Sequence, residues 1–251
     1  MFNLFRKKTD SNEGGKLPFQ VEVHCHVLPG IDDGAKTLET SIEIVRKLQA
    51  MGIRKIIATP HITSETFPNT REIIEASWNL LKPALKKEGI DVELTYSAEY
   101  RLDELFDKMH AEKTLIPFPK NCVLIENSFI QPYWALEKLI FDMHTENLNP
   151  IIAHIERYAY YYNDKKKVEG YKKQGCMFQV NLLSFTGYYG LSTRDFAMWL
   201  LTEGMIDFMG TDVHNIHQLE MLETFLKGNT YKKISDQLKR FPLKNDLFLT
   251  D

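Results

Sequence analysis

Cysteine is scarce in this chain, and its three copies (Cys25, Cys122 and Cys176) form no paired pattern. That excludes a disulfide-stapled scaffold and fits a reducing cytoplasm. Long apolar runs are also missing: none approaches the roughly 18 residues of a membrane-spanning helix. Positive charge is not in excess, since 31 Lys and Arg face 34 Asp and Glu for a net charge of −3. No basic field therefore points to nucleic acid.

What remains is the composition of a globular protein, 43% apolar and 26% charged over 251 residues. That length suits one large α/β domain, expected here over 18–251, behind a flexible tail over 1–17. The first residues, Met1 to Lys8, place Phe2, Leu4 and Phe5 beside Arg6, Lys7 and Lys8. This segment is too short for a signal peptide and is read as a frayed tail, with a peripheral membrane contact as the alternative.

From residue 20 onward strand-like and helix-like segments alternate. Apolar, β-branched runs fall at about 20–27, 53–59, 91–98, 121–126, 150–154, 176–181 and 206–210. Thr37 caps a helix whose apolar face is Leu38, Ile42, Val45 and Leu48, ending at Met51-Gly52. Thr70 opens a second through Ile73, Ile74, Trp78 and Leu81, in which Pro83 predicts a kink. Further helices are expected over 102–112, 132–147, 164–174, 193–203 and 216–239, the last in two pieces around Gly228-Asn229. Strands separated by helices pair in parallel through right-handed crossovers.

Polar residues decide between an open sheet and a barrel. Each expected strand ends in one: His24 and His26, His61, Glu99, Glu126, His154 with Arg157 after it, Asn181, and Asp212 with His214. An open sheet would scatter these ends, whereas a barrel gathers them at one mouth, where barrel enzymes keep their active sites. The expected fold is a closed or nearly closed (β/α)7 barrel.

His24, His26, Asp33, His61, Glu99, His154, Asp212 and His214 supply more donors than one octahedral ion needs. The set implies two or three ions sharing a bridging carboxylate, and its imidazole–carboxylate mixture suits Mn, Fe, Zn or Ni better than Ca or Mg. Clusters of this kind activate a bridging hydroxide for displacement at phosphorus. Arg157 offers a bidentate fork for a phosphoryl group.

These stretches also resemble a known family. His24-Cys25-His26, the run Leu28 to Lys36, Ala58-Thr59-Pro60-His61, Ala98-Glu99, the run Ala153 to Tyr158, the segment Phe178 to Gly190 and Gly210-Thr211-Asp212-Val213-His214 occur in the order seen in the polymerase-and-histidinol-phosphatase (PHP) superfamily. Within it they are most similar to the CpsB/YwqE-type tyrosine phosphatases of capsule and exopolysaccharide loci. The resemblance implies a distorted (β/α)7 barrel with a trinuclear, usually manganese-dependent centre that hydrolyses phosphotyrosine through a metal-bridging hydroxide. The implied substrate is the tyrosine-rich tail of a bacterial tyrosine kinase. The first ion would take His24, His26, Glu99 and Asp212, and the others would share Asp33, His61, Glu99, His154 and His214. Arg157 matches the phosphate-holding arginine. The family pattern has a second arginine after the last histidine, but here the chain reads His214-Asn215-Ile216-His217-Gln218-Leu219-Glu220, leaving His217 as a candidate stand-in.

Other chemistries fit less well. A cysteine-nucleophile phosphatase needs arginine six positions after its thiol, and Ile31, Ser128 and Leu182 stand there instead. An amidohydrolase bridging its metals with a lysine on the fourth strand finds only Glu126. A histidinol-phosphate or other small-phosphomonoester phosphatase, and a non-catalytic metal-binding regulator, remain as alternatives. The sequence identifies no general acid; Asp33 and a metal-bound water are the alternatives. Tyr158, Tyr160, Tyr161 and Tyr162 read as packing or as an aromatic rim, and Lys165-Lys166-Lys167 as a solvated helix face.

Overall fold

A computed structural model describes residues 15–250. The readings made for Met1 to Lys8 lie outside these residues. In chain order the elements are β1 (Val21–Glu22), α1 (Leu38–Ala50), β2 (Lys55–Ala58), β3 (His61–Ile62), α2 (Arg71–Lys87), β4 (Glu93–Tyr96), β5 (Glu99–Arg101), α3 (Glu104–Ala111), β6 (Cys122–Glu126), α4 (Leu136–Thr145), β7 (Asn149–Ile152), α5 (Lys165–Lys173), β8 (Met177–Asn181), α6 (Leu191–Thr202), β9 (Phe208–Gly210), α7 (Ile216–Leu226) and α8 (Asn229–Leu238).

Every strand pairing is parallel. One ladder runs β1-β2-β4 and another β3-β5-β6-β7-β8-β9. They are parts of one ring. β2 and β3 are halves of a single stave parted at Thr59-Pro60, where proline has no N–H for the ladder. β4 and β5 are halves of the next, and bonds continue across both breaks: Ser97 N–H to Ala58 O at 2.8 Å, Glu99 N–H to Pro60 O at 3.0 Å. The last stave returns to the first, since Asp212 N–H donates to His24 O at 2.8 Å and His26 N–H to Val213 O at 3.0 Å. The seven expected strands are thus seven staves of a closed α/β barrel.

The first stave forms a regular ladder over only Val21–Glu22, shorter than the expected run. Glu22 is the reason. Its buried carboxylate accepts from His24 N–H at 2.9 Å and Thr211 N–H at 3.1 Å, taking backbone donors that a ladder would use. Alternate strand positions feed two apolar clusters. Val21, Val23, Ile57, Leu124, Ile151 and Phe208 pack with Phe248 in one, while Ile56, Val123, Ile125 and Ile152 join the helices in the other. The first fills the space inside the staves, as barrel interiors require.

Helix starts follow their caps: the Thr37 side chain accepts from Thr40 N–H and the Thr70 side chain from Ile73 N–H. Pro83 bears on the continuity of α2, and one expected helix start is corrected. Pro83 does not interrupt α2; it and Asn79, whose carbonyl it leaves without a helical donor, both face solvent, and water can serve the freed oxygen. α4 begins at Leu136 rather than 132, because Tyr133 N–H is committed to Asn127 Oδ1 at 2.8 Å in the preceding loop.

Asn245 clasps the barrel near its closing seam. Its buried amide donates to Val21 O at 2.9 Å and Met209 O at 2.7 Å, and its Oδ1 accepts from Met209 N–H at 3.0 Å. Asn245→Ala leaves three buried backbone groups without a partner and lowers unfolding free energy by about 3 kcal/mol, measurable by urea titration.

Candidate metal centre

All the candidate ligands stand at or just beyond C-terminal stave ends. His24 and His26 follow β1, His61 opens β3, Glu99 opens β5, and Glu126 ends β6. His154, Asp212 and His214 lie in the turns after β7 and β9. His154 and Asp212 hold positive φ angles of 29° and 51°, conformations that L-residues adopt at a cost and that turn these side chains into the mouth. Asp33 reaches over from the turn after His26. That turn needs Gly34, because a Cβ there would sit 2.4 Å from the His26 Cβ.

Glu99 lies at the centre, fully buried. Its Oε2 is 3.2 Å from His24 Nε2, 3.1 Å from His61 Nδ1 and 3.5 Å from His26 Nε2, while Oε1 is 3.0 Å from His154 Nε2. Asp212 Oδ1 lies 3.4 Å from His24 Nε2 and 3.3 Å from His26 Nε2. Asp33 Oδ1 faces His61 Nε2 at 3.5 Å and His214 Nε2 at 3.4 Å. The donors form overlapping groups, each within 4.8 Å: His26, Asp33, His61 and His214; His24, His26 and Asp212; His24, Glu99 and His154; His61, Glu99 and Glu126. All the candidate ligands named from the sequence are therefore brought together. Glu126 joins them, a residue that the ligand count omitted although its strand-end position matched the others.

The donor set fits divalent ions. His24 Nε2, His26 Nε2, His61 Nδ1 and Glu99 Oε2 are buried with no hydrogen-bond partner among the described residues. Buried polar atoms are rarely left so, and here they point at one another across ion-sized gaps. The electrostatics agree. Burial opposes charge on His24, yet Glu99 and Asp212 outweigh it and lift the pKa to about 10. His61 likewise rises to about 10 against burial, chiefly through Glu99, and His214 to about 9 through Asp33 and Asp212. His154 goes the other way, to about 4, because burial dominates. Burial also works against the Glu99 and Asp212 carboxylates, but the histidines hold both well below their usual range.

A surrounding layer fixes the imidazoles. His24 Nδ1 meets Gln179 Oε1 at 2.8 Å, His26 Nδ1 meets Asp32 Oδ2 at 2.8 Å, and His214 Nδ1 meets the Asp212 carbonyl at 2.9 Å. Each contact commits Nδ1 and leaves Nε2 for the cluster, which sets tautomer and ring orientation. Asn181 donates to Asp212 Oδ2 at 2.6 Å and accepts from Gln179 at 2.8 Å. Sequence reading missed Gln179 and Gln218; an amide within a strand or a helix carries no metal signal of its own.

A cavity of about 250 Å³ opens onto the cluster, lined also by Phe129, Arg157, Tyr188, Tyr189 and Gln218. Arg157 donates from Nη1 to Asp212 Oδ2 at 3.1 Å. His217 does not reach the cavity. It is 76% exposed, with Nδ1 3.7 Å from Glu220, so its reading as a second phosphate contact is withdrawn. The spacing misled because Gln218, one position on, carries the inward-facing side of the helix and accepts from His214 N–H at 2.7 Å.

The tyrosines after Arg157 pack: Tyr158 OH accepts from Asn127 N–H at 3.0 Å, and Tyr160 OH donates to Ser128 O at 2.9 Å. Lys165, Lys166 and Lys167 are exposed at the start of α5. All three cysteine thiols are free and buried. A larger groove of about 820 Å³, between α2 and β4, shares no lining residue with the cluster.

A family model for capsular polysaccharide synthesis proteins, CpsB/CapC, matches residues 20–240. The chain belongs to this family. Among CpsB/CapC relatives, the tyrosine-protein phosphatase YwqE of Bacillus subtilis (strain 168) is 29% identical over 197 residues, covering 78% of each chain. The tyrosine-protein phosphatase CpsB of Streptococcus pneumoniae is 26% identical over 203 residues, 78% of this chain and 83% of that protein. A solved structure from a study of YwqE and CpsB of those species, described as metal-dependent tyrosine phosphatases, superposes with a TM-score of 0.75. It is 26% identical and covers 90% of this chain and 94% of its own. An amidohydrolase from Mycoplasma synoviae shares the fold alone, with a TM-score of 0.57 at 10% identity over 94% of this chain and 88% of its own.

Two outcomes are expected. Gln179→Ala weakens Mn²⁺ binding by roughly 10–100-fold in titration calorimetry, as loss of a partner that orients a ligand does. Because His24, His61 and His214 hold protons near neutrality and must release them to bind an ion, apparent Mn²⁺ affinity rises between about pH 6 and 9. Calorimetry in buffers of differing ionisation heat reads the released protons.

Proposed function

We propose that this chain is a metal-dependent protein-tyrosine phosphatase. The observation that carries the reading is one cavity in which paired imidazoles and carboxylates face Arg157. His24, His26, Glu99 and Asp212 would hold one ion, with Asp33, His61, Glu99, His154 and His214 sharing one or two more and Glu126 contributing. Two or three ions, Mn²⁺ first among them, supply Lewis-acid stabilisation of phosphoryl oxygens and acidify water.

The protein's own part is positioning. Among the described residues Arg157 is the single Lys or Arg lining the cavity, and its guanidinium binds the phosphoryl oxygens as negative charge grows on them. Asp212, held ionised by His24 and its neighbours against burial, anchors that guanidinium. Asp33 is not suited to general-acid work: although burial opposes it, the His214 contact keeps its pKa at about 2, so it holds no proton at neutral pH. The leaving phenolate, with a parent pKa of about 10, needs less protonation than a serine alkoxide.

The relatives' names support phosphotyrosine protein as the substrate class, and the tail of a bacterial tyrosine kinase controlling polysaccharide export is the partner we propose. Among the described residues no helix is long and apolar enough to cross a membrane. The free thiols support a cytoplasmic setting.

The test is a substrate panel. Mn²⁺-loaded protein is expected to turn over phosphotyrosine peptide and to prefer it to histidinol phosphate; the reverse preference identifies a small-molecule phosphatase. Inactivity on every phosphoester with a fully loaded centre identifies a regulator. Arg157→Ala lowers kcat/KM for the peptide by roughly 10²–10³-fold, and chelation abolishes turnover until ions are restored.

A further inference from the structure

Arg157 has an unusual pair of neighbours. Its guanidinium carbon lies 4.2 Å from the centre of the Tyr189 ring and 4.8 Å from that of Phe129. These rings arrive from separate loops, Phe129 after β6 and Tyr189 after β8, and both line the cavity with the arginine between them in chain order. Phe129 is itself braced, with its ring 5.6 Å from those of His154 and Tyr158. Tyr189 rests against Tyr188 at 4.8 Å.

Among the described residues, the bond from Nη1 to Asp212 is the only hydrogen bond the Arg157 side chain makes. A guanidinium carries five N–H donors in one plane. Aromatic faces attract that cation without consuming any of them. An arginine held by ring faces therefore keeps its donor edge free, whereas one held by carboxylates would spend it. A long, rotatable side chain would otherwise lose freedom when it grips an anion. The requirement is sharper here because His217 stays outside and, among the described residues, the cavity lining has no second Lys or Arg.

We propose that Tyr189 and Phe129 are positioning residues that clamp the Arg157 guanidinium, fixing its unused N–H edge toward the phosphoryl group. The proposal rests on the phosphatase reading for its substrate but not for its geometry. The working part of Tyr189 is its ring. Its hydroxyl makes no hydrogen bond among the described residues, and the Thr193 side chain bonds its backbone carbonyl instead.

The experiment is a double-mutant cycle on Mn²⁺-loaded protein. It is read by kcat/KM on phosphotyrosine peptide and, independently of turnover, by calorimetric affinity for inorganic phosphate. Tyr189→Leu is expected to cost roughly tenfold in both readouts, the size of a desolvated cation–π contact. Tyr189→Phe retains both within about twofold. In an Arg157→Met background the further cost of Tyr189→Leu vanishes. Phe129→Leu, at a half-exposed position that tolerates change, is the second variant should Tyr189→Leu fail to fold.

Equal losses in Tyr189→Phe and Tyr189→Leu assign the effect to the hydroxyl and overturn the clamp. So does a loss that persists without Arg157. If wild-type protein turns over no phosphotyrosine yet the phosphate cycle shows coupling, the clamp stands and the substrate reading falls.

Discussion

Glu99 is one buried carboxylate facing four imidazoles at 3.0–3.5 Å, and the rest of the mouth is arranged around that crowding. Without ions, protons on the histidines balance the nearby carboxylates. With ions, the same lone pairs turn toward metal, and the protons leave. Either arrangement demands that groups from distant chain segments stay within a few tenths of an ångström of each other. A closed ring of parallel staves provides that stiffness, since every ligand-bearing stave end is braced on both sides. The apolar plug of Phe208 and Phe248, stacked at 5.5 Å, keeps the lower half filled while the upper half is given to polar chemistry.

Much of this was legible in the sequence because the chemistry sits at strand ends. A histidine closing an apolar run is conspicuous, and the repetition of that pattern located each ligand and the barrel together. Thr37 and Thr70 announced their helices by the same local logic, as did the Gly228-Asn229 break between α7 and α8. Less legible was whatever depends on contacts between segments. Glu22 shortens the first ladder by reaching Thr211, 189 residues away. Gln179 matters through His24, 155 residues away. The Phe129 and Tyr189 rings look like ordinary loop aromatics until the fold carries them to Arg157. His217 shows the opposite error: a suitable residue at a plausible spacing, on the wrong side of a helix.

Two kinds of positive charge serve the cavity and are held differently. The ions would be caged by fixed imidazoles and carboxylates, each oriented by an outer partner such as Asp32 or Gln179. Arg157 is long and tethered at one end, and is steadied by a single carboxylate and two ring faces. The second arginine that the resemblance implies has no counterpart among the described residues lining the cavity. The proposed phosphate contact therefore leans more heavily on the orientation of one side chain.

The seam between the first and last staves also has a consequence for biosynthesis. His24 and His26 leave the ribosome early, but Asp212 and His214, which complete their surroundings, emerge only after nearly the whole barrel has been translated. A nascent chain thus exposes two histidines and an acidic turn without a finished cage to sort ions. Ring closure therefore also completes the donor cluster: its first and last groups come together only when Val213 joins Cys25.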